Sequence, residues 1–321
     1  MSSSGALRAD EVDAAFLALR YTRALNKLGT QFLDPDFWRA LNPELTISDR
    51  GPGVGNTPFN NDWASSEICQ RRLREEGYYL TPKIVPVDDV VKMRTAVERI
   101  VARGLPPGCA MVYDEFYRVY ASLARAAEPI LGPNPILMPE DFWVFFVPAG
   151  DGAASRWTAF DPHRDWVSVD QGVMDGGLPT VLVGWVALSD ASTEDSCMYV
   201  VPGDCDRGYR SADRIVYTDH FRLQDVRAVP AEAGQVLLFS SHIAHWGSRS
   251  SRWATHPRVS ISVFFQRGDM PARLKDVIDL EQSVPFESRV RWVVRTMRLM
   301  LGREQSDAIL RQAGLTPEPQ G

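Results

Sequence analysis

The chain has 321 residues, 45% of them hydrophobic, and a formal net charge of −6. This length and hydrophobic content predict one large globular domain, or a core domain with helical additions. The acidic balance argues against nucleic-acid binding, which needs a basic face. The four cysteines form no CxxC pair, the N-terminus has no signal-peptide core, and no apolar run is long enough for a membrane span. We therefore expect a cytoplasmic protein that does not insert into membranes.

Helices dominate the first part of the chain. Apolar residues with helical spacing predict four of them, at 10–29, 64–76, 87–104 and 111–131. Gly, Pro and Asn are frequent at 42–62, which predicts a loop. Its GPGVG motif neither follows a strand nor opens a helix, so it does not indicate a nucleotide phosphate site.

Strands are predicted after Pro139. Six short apolar runs, broken by Gly, Pro and Asp, predict an all-β sandwich or barrel. From about residue 271 the chain returns to helix, where FESRVRWVVRTMRLML has an apolar stripe and arginines at 289, 291, 295 and 298 on the remaining surface. Packing of this stripe on the barrel, or on a second subunit in a homodimer, is favoured over a membrane-surface role.

The candidate functional residues lie in the β region. In FDPHRDWVSV, His163 and Asp165 are two residues apart, so on a strand they point to one face and could hold a metal ion or form a hydrogen-bonded surface pair. His242 and His245 follow the strong strand VLLF. Two histidines and one carboxylate form the ligand set of non-heme Fe(II) oxygenases. Arg258 opens a further apolar strand, where it could bind a carboxylate ligand or form an internal salt bridge.

From about residue 72 to 267 the sequence resembles the phytanoyl-CoA dioxygenase family of Fe(II)/2-oxoglutarate oxygenases. Four segments carry the resemblance: LREEGYYLTPKIVPVDDVVKMRTAVERIV, HRDW, GWVALSDASTEDSCMYVVPGD and AEAGQVLLFSSHIAHWGSRSSRWATHPRVSISVFF. Two positions depart from the family pattern. Asp195-Ser196 replaces Asn-Gly before a cysteine, and Pro202-Gly203-Asp204-Cys205 replaces Pro-Gly-Ser-His.

The resemblance implies a mainly β fold with flanking helices, in which the core is a double-stranded β-helix or jelly roll. It divides the chain into a helical cap at 1–70, a jelly-roll dioxygenase domain at 71–270 and a helical extension at 271–321. It also implies an enzyme that uses Fe(II), 2-oxoglutarate and O2.

The resemblance further implies residue roles. It assigns the metal ligands, which are also the catalytic residues, to His163, Asp165 and His245, because the family's distal histidine is followed by Gly-Ser; His242 is then a neighbour. The implied 2-oxoglutarate residues are Arg258, Ser260, Ser248 and Trp185, with barrel packing as the alternative for Trp185. Candidate substrate-binding residues are Trp166, Trp246 and Phe146, with core packing as the alternative for each.

The expected reaction is oxidation of an unactivated C–H bond of a small molecule, such as a natural-product or amino-acid-derived intermediate. Because Asp165 is present, hydroxylation, desaturation or ring formation is expected rather than halogenation. Two alternatives stay open at this point. One is a non-catalytic jelly-roll binding protein, although neither a ligand nor the arginine is missing. The other is an enzyme that uses the His-Asp pair for acid-base chemistry without a metal.

Overall fold

The computed structural model describes residues 9–48, 59–139, 142–150, 161–165, 176–209, 221–273, 276–278 and 284–317. The GPGVG motif and Trp166 lie outside these residues. None of the helices that the structure describes combines the length and the hydropathy needed to cross a lipid bilayer.

Helices flank a β core at both ends of the described chain. They are α1 Ala9–Leu28, α2 Pro35–Leu41, α3 Asp62–Ser65, α4 Glu67–Glu75, α5 Val87–Ala102, α6 Asp114–Ala126, α7 Glu128–Leu131, α8 Phe286–Thr296, α9 Arg298–Leu301 and α10 Arg303–Gln312. The strands are β1 Tyr78–Leu80, β2 Ile136–Leu137, β3 Trp143–Val147, β4 Val181–Ala187, β5 Met198–Val201, β6 Arg227–Val229, β7 Val236–Ser240, β8 Ala244–Gly247 and β9 Arg258–Gln266.

Local sequence signals explain where several helices begin and end. The Ser66 hydroxyl caps α4 by accepting from the Cys69 N–H at 3.2 Å. After α5 the chain turns through Gly104, whose φ of +77° favours glycine. The predicted helix at 111–131 is divided into a 3-10 segment, α6 and α7. The break between α6 and α7 follows from Pro129, which has no N–H to continue the helical ladder.

Two antiparallel sheets form the double-stranded β-helix core. The large sheet has the order β1-β7-β4-β9-β2, with β3 also paired to β9, and the small sheet has the order β6-β5-β8. Alternation along β9 sends Val259, Ile261 and Val263 into a core shared with the helices. Phe264 packs instead into a second core, between the two sheets.

The C-terminal helix α8 packs within the same chain. Its residues Val290, Val293 and Val294 are buried in the core that the helices share with the large sheet. Arg289, predicted on the surface, is fully buried, because it donates to Asp114 at 2.5 Å and to the Val112 carbonyl at 2.7 Å. A carboxylate from α6 thus neutralises an arginine that the helical pattern alone placed in solvent.

Candidate metal centre

Backbone pairing brings the His-Asp motif to the distant histidine. His163 and His245 form an antiparallel bridge, in which each N–H donates to the other residue's carbonyl, at 3.1 and 2.9 Å. Directly opposed residues of an antiparallel pair point to the same face. On its other side, His245 is paired with Val200, which is buried in the core between the sheets. Both imidazoles therefore face the interior of the barrel, and the two-residue spacing turns Asp165 to the same side.

The three side chains meet at one point. His163 Nε2 lies 3.5 Å from Asp165 Oδ1, and His245 Nε2 lies 3.6 Å from Asp165 Oδ2. One ligand atom from each residue lies within 4.8 Å of the others. Neighbouring ligands of an octahedral ion, each about 2.1 Å from the metal, lie about 3 Å apart, so a small inward adjustment brings all three onto one ion.

Backbone carbonyls orient both imidazoles. His163 Nδ1 lies 2.7 Å from the Asp161 carbonyl, and His245 Nδ1 lies 3.2 Å from the Ile243 carbonyl. A carbonyl oxygen only accepts hydrogen bonds, so each Nδ1 carries the proton and donates. In its neutral form each imidazole therefore has its lone pair on Nε2, facing Asp165, which is the tautomer that a metal ligand requires. The hydrogen bond from His163 to Asp165 belongs to the protonated form of His163.

Burial and charge set the protonation of the group. Burial lowers the pKa of His245 to about 4, although Asp165 acts in the opposite sense, so this imidazole is neutral at neutral pH. Burial also lowers the pKa of His163, but the hydrogen bond and charge of Asp165 outweigh it, and the net direction is upward. Burial raises the pKa of Asp165, but the charges of His245 and His163 and the hydrogen bond from His163 outweigh it and lower the pKa.

An iron ion fits this donor set. Asp165 Oδ2 is buried and has no hydrogen-bond partner among the described residues, which is costly for an ionised carboxylate. A cation between the three side chains would satisfy this oxygen and take up both imidazole lone pairs. Two histidines and a carboxylate on one face leave the opposite positions of an octahedral ion open.

Arg258 faces the same interior from the large sheet. It is buried, donates to the Ser260 hydroxyl at 2.5 Å and lies over the rings of Phe145 and Trp185, with its Cζ 5.6 and 5.7 Å from their centroids. Burial lowers its pKa to about 10, so the guanidinium is a cation at neutral pH. On the opposing β7 strand, Phe239 packs against the His245 ring, with centroids 4.5 Å apart. The two sheets thus present a cation and the metal ligands to one shared space.

The surroundings of Arg258 offer further polar groups. The Ser248 hydroxyl and the Trp185 indole N–H are buried and have no hydrogen-bond partner among the described residues. A Cβ at Gly247 would lie 3.2 Å from Arg258 Nη2, so only glycine leaves the guanidinium its full space. Trp185 and Gly247 thus adjoin the cation, whereas Ser248 lies two residues beyond Trp246 and lines the same groove as Trp246.

The predicted substrate-binding residues are placed differently. Phe146 packs against the core on the helix side, because its register partner Val259 points there, and it does not face the metal ligands. Phe145, one residue earlier, takes the inward position. Trp246 also points away from the ligands, because it adjoins the inward-facing His245 on β8. Trp166 lies outside the described residues.

Trp246 has an outer-face environment of its own. Its ring is half-buried and stacks between Tyr199 and Phe221, at centroid distances of 5.7 and 5.3 Å. It lines a groove of about 500 Å³ together with Asp161, Pro162 and Ser248. The sequence contains a signal for this position. Neighbouring residues of a strand point to opposite faces, so an inward-facing ligand at His245 predicts an outward-facing Trp246.

Ser196 is a site residue that the sequence marked only as a departure from the family pattern. Its φ is +65°, in the region that favours glycine, and its side chain is buried. The hydroxyl donates to the Ser248 carbonyl and lies 3.5 Å from Arg258 Nη2. Since this is the position of the family's glycine, Ser196 adds a hydroxyl beside the buried cation.

Several solved structures are similar to this chain. The apo form of the non-heme monooxygenase ThoJ aligns with a TM-score of 0.53 and 14% identity, covering 77% of this chain and 98% of ThoJ, which shows the shared fold. The alpha-ketoglutarate-dependent epimerase SnoN from nogalamycin biosynthesis aligns with a TM-score of 0.48 and 21% identity over 70% of this chain and 96% of SnoN. EctD from S. alaskensis aligns with a TM-score of 0.48 and 17% identity, over 75% of this chain and 95% of EctD.

Curated protein sequences gave no match. The family model for phytanoyl-CoA dioxygenase (PhyH), in contrast, matches residues 111–253, a range that includes all three metal-ligand candidates. This match confirms the resemblance to the phytanoyl-CoA dioxygenase family that the sequence motifs predicted.

Proposed function

We propose that the chain is an Fe(II)/2-oxoglutarate-dependent oxygenase that hydroxylates, desaturates or cyclises a small molecule at an unactivated C–H bond. The observation that carries this proposal is the convergence of His163, Asp165 and His245, whose ligand atoms lie within 4.8 Å of one another. Arg258, a buried cation on the opposite sheet, faces the same interior.

Each residue has a role in this proposal. His163, Asp165 and His245 hold the iron, which together with 2-oxoglutarate and O2 supplies the oxidising power when bound. Arg258 binds the distal carboxylate of 2-oxoglutarate, and the hydroxyl of Ser260 fixes the orientation of the guanidinium. The hydrophobic core between the two sheets excludes water from this space and so strengthens the ion pair.

The surroundings of the ligands favour a small substrate. The side chains of His163, Asp165 and His245 are only 16, 17 and 7% exposed, so their ligand atoms are accessible to a small molecule and not to the surface of a macromolecule. We propose a natural-product or amino-acid-derived intermediate as the substrate class. Phe145 replaces Phe146 as the candidate aromatic wall, Trp246 is assigned to the outer groove, and Trp166 stays a prediction.

The cellular location, the homodimer and the domain division stay predictions. The cytoplasmic location is in line with four free cysteines, which are typical of a reducing compartment. A homodimer through the C-terminal helix would need a face other than its apolar stripe, since Val290 and Val293 are already buried within one chain. The division at residues 70 and 270 also stays a prediction, because helices from both ends share one core with the large sheet.

Two measurements test the proposed function. Anaerobic addition of Fe(II) and 2-oxoglutarate to the full chain should produce a weak visible charge-transfer band, and Asp165→Ala should abolish it. A screen of candidate metabolites for succinate release should then identify the substrate. A folded protein that gives no band and releases no succinate would support the non-catalytic binding protein instead.

A further inference from the structure

The residue between the two ligands of the His-Asp motif is a buried arginine. Arg164 follows His163 and precedes Asp165, so on an extended segment its side chain points away from the metal ligands. It is nevertheless almost fully buried. An arginine is rarely buried without paired charge, so its partners indicate what it does.

Arg164 connects three separate segments of the chain. Its Nη1 donates to Asp206 Oδ2 at 2.6 Å and to the His242 carbonyl at 2.8 Å. Asp206 lies in the turn after β5, where its other carboxylate oxygen accepts from the Gly208 N–H at 2.8 Å. The guanidinium thus ties the His-Asp segment both to this turn and to the chain just before His245.

The turn is shaped around the guanidinium. A Cβ at Gly208 would lie 2.7 Å from Arg164 Nη2, a distance that side chains do not tolerate. Gly208 therefore allows the turn to approach the arginine closely, and Asp206 is held in place by the same turn. The turn therefore accommodates Arg164 and also holds its partner Asp206.

The contact with His242 reaches the distal metal ligand through two consecutive carbonyls. The His242 carbonyl accepts from Arg164, and the next carbonyl, that of Ile243, accepts from His245 Nδ1 and so sets the direction of its Nε2. Because the two carbonyls belong to adjacent peptide units, a movement of the first alters the second. Arg164 acts on His163 and Asp165 as well, because it is their immediate neighbour in the chain.

We propose that the Arg164–Asp206 ion pair is a positioning element of the metal centre, which fixes the separation between the His-Asp segment and His245 so that both imidazoles reach one ion. Arg164 does not contact the metal. The inference rests on the metal centre of the proposed function, and it adds to the three ligands two positioning residues that are 42 positions apart in the sequence.

The chain offers a matched control. Arg289 is buried, and its Nη1 also donates to one carboxylate, of Asp114, and to one backbone carbonyl, of Val112. It sits on α8, outside the metal centre. Arg164→Met and Arg289→Met therefore each remove a buried ion pair and a hydrogen bond to a backbone carbonyl, and Arg289→Met also removes a hydrogen bond to the Ser48 carbonyl. Only Arg164→Met acts on the metal ligands if the proposal is correct.

The experiment is a titration of the full-length protein with Co(II) alone, followed through the visible d–d bands of the bound ion. Wild-type protein and Arg289→Met should bind Co(II) equally. Arg164→Met should bind about 10- to 100-fold more weakly, the usual effect of losing a partner that orients metal ligands, and its bands should shift. Arg164→Lys should recover part of the affinity, because lysine can pair with Asp206 but cannot reproduce the planar donor geometry.

Asp206→Asn keeps the proposal testable if Arg164→Met does not fold, since it keeps the side-chain size and removes the charge. It too should weaken Co(II) binding and shift the bands. Wild-type affinity in folded Arg164→Met or Asp206→Asn overturns the proposal, and so does an equal loss in Arg289→Met. Absence of Co(II) binding by the wild-type protein would overturn the proposed function, a result distinct from a defect confined to the variants.

Discussion

Replacing Arg258 by methionine should lower the affinity for 2-oxoglutarate, while the stability of the ligand-free protein should stay the same or rise. Burial lowers the pKa of Arg258 to about 10. This decrease corresponds to about 3 kcal/mol by which the ligand-free interior disfavours the cation. At neutral pH the residue stays protonated, so the ligand-free protein carries this unfavourable energy.

Methionine has a similar length and no charge, so the variant loses the unfavourable energy. It also loses the hydrogen bond to Ser260 and the contacts with two aromatic rings, which together contribute about 1–3 kcal/mol. We therefore expect the free energy of unfolding of ligand-free Arg258→Met to stay equal to that of the wild type or to rise by about 1 kcal/mol. The affinity for 2-oxoglutarate should fall at least about 100-fold, because its distal carboxylate would enter the interior unpaired.

Calorimetric titration of 2-oxoglutarate into the anaerobic Fe(II)-loaded protein measures the affinity, and urea unfolding of the ligand-free protein measures stability. Arg289→Met serves as the control, for which we expect a loss of stability and an unchanged affinity. It leaves Asp114 buried without a counter-charge, so it should lose about 3–5 kcal/mol of stability and keep the affinity for 2-oxoglutarate. Wild-type affinity in Arg258→Met, or a loss of more than about 2 kcal/mol in its stability, would refute the reasoning.

Three further tests examine the site, two of them with a control variant. His245→Gln should weaken Co(II) binding by more than the about 10- to 100-fold typical of an outer partner, whereas His242→Gln, outside the ligand group, should keep wild-type Co(II) affinity; an equal loss in both would contradict the ligand assignment. Gly247→Ala should lower 2-oxoglutarate affinity about tenfold, because the added Cβ lies 3.2 Å from the guanidinium, and Gly108→Ala, with nothing within 4 Å, should not; calorimetry decides between equal and unequal affinities. Trp185→Phe removes a buried N–H without a described partner, so ligand-free stability should stay within about 1 kcal/mol while 2-oxoglutarate affinity drops about three- to tenfold; unchanged affinity would show that the indole does not contact the cosubstrate.

The sequence predicted the parts of the site that depend on spacing within one strand. Residues two apart share a face, so the pairing of His163 with Asp165 and the position of Arg258 with Ser260 on one strand followed from numbering alone. The fold class followed from short apolar runs and the family resemblance. Helix boundaries at α5 were also predictable, because acidic residues and a glycine mark its two ends.

Features that depend on register between strands were not predictable. Phe145 and Phe146 are identical residues, and each has one valine and one phenylalanine beside it in the sequence. Only the pairing of β3 with β9 decides which of the two faces inward. Contacts between distant segments were hidden for a related reason. Asp206 and Asp114 each neutralise a buried arginine, but the sequence separations of 42 and 175 residues give no pattern to detect.

The division of the core into two sheets has a consequence for the order of loading. The metal ligands lie along one edge of the small sheet, while the arginine belongs to the large sheet and its helical support. A metal ion can therefore bind to the small sheet alone, but a keto diacid has to contact both sheets. Binding of the diacid would link the two sheets. The small sheet's amides should therefore become better protected from hydrogen exchange when the diacid binds after the ion, and much less so when the ion binds alone.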